Sequence, residues 1–227
     1  MRQFFAAGVI ALFGFLNGAQ AQVPPSESEI GQYRGLFDAA HRGDLPALQI
    51  LLKNGEKPDP RDASGRTPFL VATFAGHHAI MESLVKAGAD PRAKEFQNYD
   101  AITIAAVKDD PDTMSLAIKL GGSAKEITSP YIGTALIAAA HLGHDEVVRR
   151  LIKAGAPLDH VNNLGWTAMI EVVILGRGGP RHIASLRALI DAGARRDLAD
   201  RQGRTPLDHA RERGYAAMVA MLEKTKP

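Results

Sequence analysis

The chain has 227 residues, of which 23% are charged, and its formal net charge at neutral pH is +2. A charge this close to zero gives no electrostatic reason to bind nucleic acid or an anionic membrane. The sequence contains no cysteine, which excludes disulfides, zinc–thiolate sites and a cysteine nucleophile from this chain.

The first 21 residues have the pattern of a secretory signal peptide. A basic start precedes an apolar run over residues 4–16, and residues 19–21 read Ala-Gln-Ala. This pattern predicts cleavage between Ala21 and Gln22, because small residues precede the cleavage site of such segments. A retained membrane anchor is the alternative, but the apolar run is shorter than the ~20 residues that a spanning helix needs. We therefore expect a periplasmic or secreted protein with no membrane attachment after cleavage.

A short pattern recurs along the rest of the chain, after a predicted flexible lead-in over residues 22–29. Residues 65–69 read Gly-Arg-Thr-Pro-Phe, followed by Ala-Gly-His at 75–77 and Ala-Gly-Ala at 87–89. A related string returns with its threonine 67 residues later, at Thr134. Positions equivalent to Thr67 are Arg34, Asp100, Thr134, Thr167 and Thr205, in steps of 33, 33, 34, 33 and 38 residues.

Each repeat predicts two helices. The Thr or Asp at the equivalent position can cap a first helix by accepting a bond from a backbone N–H, and Pro68 and Pro206 follow where a missing N–H costs nothing. Gly88, Gly155 and Gly193 are suited to end the second helices, because glycine tolerates a left-handed backbone. Apolar residues between these signals follow the helical period. A single helix pair cannot bury its apolar face, so the pairs should stack.

Two copies depart from the pattern. In the third copy Asp109 replaces the glycine of the helix–helix turn, and Asp110-Pro111 predicts a new cap for the second helix. The fifth copy carries an insertion over residues 177–181, which we expect to lie in a surface turn between its two helices.

These recurrent positions resemble the ankyrin-repeat family over residues 30–225, although the histidine usual after Thr-Pro-Leu is absent from every copy. The resemblance implies an all-α solenoid of about six stacked helix-turn-helix repeats joined by short hairpin loops. The expected domain covers residues 30–227, and its repeats cover about 30–61, 62–95, 96–129, 130–161, 162–199 and 200–227.

The resemblance also implies that a protein partner is held in a concave groove, by the hairpin tips and the exposed edge of the first helices. The candidate partner-binding residues at those positions are Tyr33, Arg42, Arg66, Phe74, Phe96, Tyr99, Lys108, Tyr131, His141, Trp166, Ile174 and Arg204.

Aromatic side chains are concentrated at these positions. Of the nine aromatic residues after residue 21, six lie there. Exposed aromatic residues beside Arg and Lys are typical of protein interfaces, so we expect an exposed aromatic groove. Trp166 has an alternative, structural interpretation, because a tryptophan at this position of an ankyrin repeat packs partly on the neighbouring hairpin.

No catalytic or metal-binding motif was found in the sequence. His141 and His144 lie close together without an obvious third ligand. The group Asp109, Asp110 and Asp112 lacks the glycine and terminal glutamate of a calcium loop, which favours helix capping. We therefore predict a monomeric, non-catalytic scaffold without a cofactor.

Two other functions remain open at this stage. An immunity or inhibitor protein that blocks a toxin or hydrolase belongs to the same class. A small-ligand-binding protein or enzyme with a pocket around His41 and His141 belongs to a different one, which a deep closed pocket would favour over a long open groove.

Overall fold

The computed structural model describes residues 24–223. The signal peptide predicted over residues 1–21 and its cleavage site lie outside the described residues. Within them the helices are α1 (Glu27–Gln32), α2 (Gly35–Arg42), α3 (Leu45–Lys53), α4 (Pro68–Ala75), α5 (His78–Lys86), α6 (Ala101–Val107), α7 (Pro111–Lys119), α8 (Ala135–Leu142), α9 (Asp145–Lys153), α10 (Ala168–Ile174), α11 (Pro180–Asp191), α12 (Pro206–Glu212) and α13 (Ala216–Glu223).

Helices α2 to α13 form six consecutive pairs, which stack along the chain. The first helix of a pair contacts the first helix of the next pair, and second helices contact second helices in the same way. Residues 24–223 contain no strand, and their one isolated β-bridge joins Thr128 to Gly133. The predicted all-helical solenoid is confirmed, and each helix pair lies inside one of the six predicted repeat ranges.

The helix caps lie at the predicted residues. The side chains of Thr67, Asp100, Thr134, Thr167 and Thr205 each accept a hydrogen bond from the backbone N–H three residues further on. Asp110 caps α7 in the same way, through the N–H of Thr113 at 2.9 Å. The helix starts therefore follow from local chemistry that the sequence displays.

The first helices are buried by their neighbours. In α4, six of eight residues are buried, whereas in α3 only Leu48 is. A buried leucine or phenylalanine contributes about 1.5–3 kcal/mol relative to an exposed one. The first helices therefore carry most of the buried apolar surface. They are flanked by the first helices of neighbouring repeats and covered on one side by the second helices.

The N-terminal lead-in is partly helical. The Ser26 side chain accepts a bond from the Glu29 N–H at 3.2 Å, and Glu29 accepts one from the Ser26 N–H at 2.8 Å. This reciprocal capping box starts α1. The flexible segment predicted over residues 22–29 is therefore helical from Glu27 onwards.

Part of the fifth-copy insertion is helical as well. Residues 177–179 lie between α10 and α11, but Pro180 and Arg181 form the first turn of the 12-residue α11. Arg181 makes two bonds to Asp109, at 2.7 and 2.9 Å, and one to Asp145 at 2.9 Å. The insertion thus connects the third, fourth and fifth repeats by a surface ion-pair network.

Gly143, at the end of α8, must be a glycine for two reasons: its backbone conformation and a close neighbouring side chain. Its φ angle is +70°, and an added Cβ would lie 2.8–3.0 Å from the ring of His182 in the next repeat. That ring cannot move freely, because its Nε2 donates to the carbonyl oxygen of His141 at 3.1 Å. Gly214 has the same backbone conformation, with φ +68°, but nothing within 4 Å of an added Cβ.

We predict that Gly143→Ala lowers the free energy of unfolding by about 2–3 kcal/mol, from backbone strain and the displaced histidine. Gly214→Ala should cost about 1 kcal/mol, because it carries the backbone strain alone. Urea denaturation followed by circular dichroism measures both values. Equal losses in the two variants would show that the contact with His182 does not contribute.

Candidate protein-interaction groove

The hairpin loops between repeats are joined to one another by their backbones. The Phe96 N–H donates to the Ser64 carbonyl oxygen at 3.1 Å, and the Ser129 N–H donates to that of Asn98 at 3.2 Å. The Asn163 N–H donates to the Tyr131 carbonyl oxygen at 2.9 Å. These bonds hold the hairpin tips in a row with fixed spacing.

Three hairpins are also stabilised internally by one side chain five residues before the helix cap. Asp62 Oδ1 accepts from the N–H groups of Ser64 and Arg66, at 2.9 and 2.8 Å. Asn162 and Asp200 accept in the same way in their own hairpins. The sequence analysis missed this feature, although the spacing Asp/Asn-x-x-Gly-x-Thr at residues 62, 162 and 200 is a signal that could have revealed it.

Apolar side chains are exposed at the tips of three successive hairpins. Phe96 is 75% exposed, Tyr131 43% and Leu164 42%; we call these three residues the tip row. Ile127, Ile132 and Val161 on the same two later hairpins are exposed too. Groups that water solvates poorly are thus held in line on rigid loops.

A depression of about 400 Å³ lies at the N-terminal end of the tip row. Its lining residues come from α1, the second and third repeats and the hairpins between them: Glu29, Ala63, Ser64, Arg66, Phe74, Glu95, Phe96, Gln97 and Tyr99. The sequence identified Arg66, Phe74, Phe96 and Tyr99 as candidate binding residues. It did not single out Glu29 or Glu95, because neither belongs to an aromatic or basic pattern.

The expectation of a uniformly exposed aromatic groove is wrong at two positions. Tyr33 is 6% exposed and Tyr99 is 3% exposed. Tyr33 donates through its hydroxyl to Asp62 at 2.9 Å and stacks on Phe37, with ring centroids 5.3 Å apart. Burial and the carboxylate of Asp62 both raise the pKa of Tyr33. The Tyr33 ring thus faces helix α2 through Phe37 and bonds the next hairpin through Asp62.

Arg66 is buried for an electrostatic reason. It is 4% exposed, and its Nη1 lies 2.9 Å from Glu29 Oε1 and 3.1 Å from Asp62 Oδ2. Ser64 also donates to Glu29, at 2.8 Å. The arginine therefore joins α1 to the hairpin at residues 62–66, which precedes α4 and is here called the second hairpin. It presents little of its side chain to a partner.

The other candidate residues lie at or near the surface of the array. Arg42 is exposed and pairs with Asp38 at 2.6 Å. Lys108 is exposed and donates to the Phe74 carbonyl oxygen. Arg204 pairs with Glu212. The half-buried candidates are Phe74, His141, Trp166, Ile174 and Arg204.

His141 has a buried acidic neighbour. Its Nδ1 lies 3.3 Å from Glu171 Oε2, and Asn162 Nδ2 donates to Glu171 Oε1 at 2.7 Å. Glu171 is 5% exposed, so these contacts replace the water that a carboxylate requires. Over residues 24–223, no group of three or more His, Cys, Asp and Glu side chains is arranged to hold a metal ion.

Comparison with known proteins agrees with this architecture. A family model described as ankyrin repeats (3 copies) matches residues 36–125, 102–194 and 136–226. The chain belongs to the ankyrin-repeat family. Ankyrin repeats generally mediate protein–protein interaction, and the fold typically serves as a scaffold without catalysis.

Several ankyrin proteins resemble this one along most of its length. The ankyrin repeat protein YahD of Escherichia coli K12 is 28% identical over 81% of this chain and 92% of its own length. The crystal structure of an ankyrin repeat domain from Acinetobacter baumannii AYE is 40% identical, covers 82% of this chain and 95% of its own, and superposes with a TM-score of 0.78.

Some similar proteins are named as enzymes. The glycerophosphocholine phosphodiesterase gde1 of Schizosaccharomyces pombe is 31% identical over 58% of this chain, which spans only 12% of that protein. The shared part consists of ankyrin repeats alone.

Within residues 24–223, no helix is both long and apolar enough to cross a membrane.

The contact between α1 and the second ankyrin hairpin predicts a pH dependence. The pKa of Glu29 is lowered from an ordinary value of 4.5 to about 2. The hydrogen bond from the Ser26 N–H lowers it most, burial raises it, and the bonds from Arg66 and Ser64 lower it further. Since the folded pKa is the lower one, Glu29 stabilises the fold fully above about pH 4.5, and this contribution disappears as the pH falls towards 2.

We predict that Glu29→Gln is less stable than the parent at pH 6 and that the difference shrinks steadily below pH 4.5. Urea denaturation at a series of pH values from 6 to about 2 measures both proteins. Glu82→Gln, on the outer helix α5, is the matched control and should follow the parent throughout. A difference that stays constant with pH would contradict the assignment to the ionised Glu29.

Proposed function

We propose that this protein is a periplasmic ankyrin scaffold without catalysis, which binds one protein partner through the groove beside the tip row. The observation that carries the proposal is the exposure of Phe96, Tyr131 and Leu164 on three successive hairpins. Ankyrin repeats bind protein partners as a family. The proposal assigns that general role to a defined surface of this chain.

Physical chemistry supports this surface over the rest of the molecule. Isolated exposed apolar residues are common on any protein, whereas an aligned set on one face marks an interaction site. Large rings and branched side chains on a rigid frame contribute binding energy at a small entropic cost. The backbone bonds between the hairpins supply that rigidity.

The periplasmic location rests on residues 1–21 alone. Their basic start, short apolar run and Ala-Gln-Ala ending support export and cleavage after Ala21. The absence of cysteine from the chain is compatible with an oxidising compartment.

Inhibition of a toxin or hydrolase would use the same groove, so it is a more specific form of this proposal. The alternative of a small-ligand pocket built around histidine has less support. None of the nine residues that line the depression is a histidine, and His141 lies against Glu171 instead.

The proposal predicts that the protein captures a partner from periplasmic extract and that this capture depends on the tip row. The double variant Phe96→Ser, Tyr131→Ser should weaken capture by at least about tenfold, because two exposed apolar anchors are lost. Quantitative pull-down with tagged protein measures the captured amount. Unfolding curves for the variant check that the fold is kept, since Phe96 is 75% and Tyr131 43% exposed.

Ile50→Ser provides the matched control. Ile50 is 60% exposed and lies on the outer helix α3, away from the hairpin tips. It should leave capture unchanged. Capture that survives the double variant, or that falls equally with Ile50→Ser, would remove the tip row from the interface. A periplasmic extract that yields no partner, together with a small molecule that raises the melting temperature, would favour the ligand-binding alternative.

A further inference from the structure

The depression beside Phe96 has walls of two different kinds. Phe74, Phe96 and Tyr99 supply aromatic surface, and Glu29 and Glu95 supply carboxylates. This combination is more specific than an apolar groove, because an aromatic face and a carboxylate both attract a cation.

The Phe96 ring is held in place from one side. A Cβ added to Gly65 would come within 2.5 Å of the ring, so the ring lies directly over this glycine. The ring is nevertheless 75% exposed, which leaves its other face open. A planar cation could stack on that face without any rearrangement of the hairpin.

The residues that line the depression carry more negative than positive charge. Its lining includes two carboxylates, Glu29 and Glu95, and one guanidinium, Arg66. Arg66 already binds Glu29 and the adjacent Asp62, so a third carboxylate offsets its charge. Two cations outside the lining bond to nearby backbone oxygens: Lys108 donates to the carbonyl oxygen of Phe74, and Arg61 donates to that of Gly65 at 2.6 Å.

Glu95 is oriented by the backbone of its own hairpin. Its Oε1 accepts from the Tyr99 N–H at 3.0 Å, and an ionised carboxylate has capacity for further donors on its second oxygen. A carboxylate positioned in this way can receive a planar fork of N–H groups at little cost in side-chain entropy.

We propose that the depression binds an arginine side chain of the protein partner. The guanidinium stacks on Phe96 and donates to Glu95, while Phe74 and Tyr99 enclose its aliphatic stem. Arginine suits this site better than lysine, because its planar group both stacks on rings and matches a carboxylate through paired donors. This inference rests on the proposed function and specifies the chemistry of the partner.

The test uses short peptides as probes. We would titrate acetyl-Gly-Arg-Gly-amide into the ¹⁵N-labelled purified protein and follow the backbone amide resonances, with the citrulline peptide as the neutral isostere. The arginine peptide should shift the amides of Ser64, Gly65 and Gln97 saturably, with a dissociation constant on the order of millimolar. The citrulline peptide should bind at least about tenfold more weakly, and the lysine peptide should lie between them.

Glu95→Gln is the decisive variant. A glutamine oxygen can still accept the Tyr99 N–H bond, so the hairpin should keep its shape while the charge is lost. It should weaken the arginine peptide about tenfold, and Glu82→Gln should leave its affinity unchanged. Equal binding of the arginine and citrulline peptides, no effect of Glu95→Gln, or shifts centred elsewhere would each overturn the inference.

The two proposals can fail separately. If partner capture depends on the tip row but is unchanged in Glu95→Gln, the groove binds a protein and the arginine site is refuted. If the arginine peptide binds as expected but no captured protein depends on Phe96 and Tyr131, the groove function is refuted and the depression is a cation site of another kind.

Discussion

Burial of each first helix by the helices before and after it is the interaction on which the rest of the structure depends. Helix α4 is buried along most of its length because α2 and α6 flank it. No pair could achieve this alone, so each repeat is stable only in the array. The stacking also fixes the distance between successive hairpins, and through it the spacing of the tip row.

The hairpins convert this stacking into a binding surface. Side chains satisfy backbone N–H groups inside each of the three hairpins that carry the tip row. Glu95 accepts from Tyr99, Ser129 accepts from Gly133, and Asn162 accepts from Leu164. Backbone bonds then join neighbouring tips. Because the loops obtain their order from these polar contacts, their outermost side chains are not needed for folding. Phe96, Tyr131 and Leu164 can therefore remain in water, where they are available to a partner.

Much of the fold could be predicted from local chemistry. The Thr134 side chain caps α8 by accepting a hydrogen bond from the backbone N–H of Ile137, three residues further on. Gly143 adopts a left-handed backbone because it has no Cβ, whatever surrounds it. The candidate site was harder to predict. Tyr99 and Phe96 lie three residues apart in one hairpin, yet the first is buried and the second exposed. No local pattern distinguishes them, because the surroundings of both include residues that lie about 30 positions earlier in the chain, such as Gly65 beside Phe96 and Arg66 in the depression that Tyr99 lines.

The sequence by itself determined the repeat period, the helix starts, the turn positions and the family, since each of these rests on interactions within a few residues. Only the tertiary structure decided which aromatic rings face water. It also decided that Arg66 forms ion pairs with Glu29 and Asp62. In the same way, it brought Arg181 to Asp109 and Asp145, so that three repeats are joined. The physical reason is distance along the chain. Arg181 and Asp109 are 72 residues apart, and their contact exists only because the intervening helices stack.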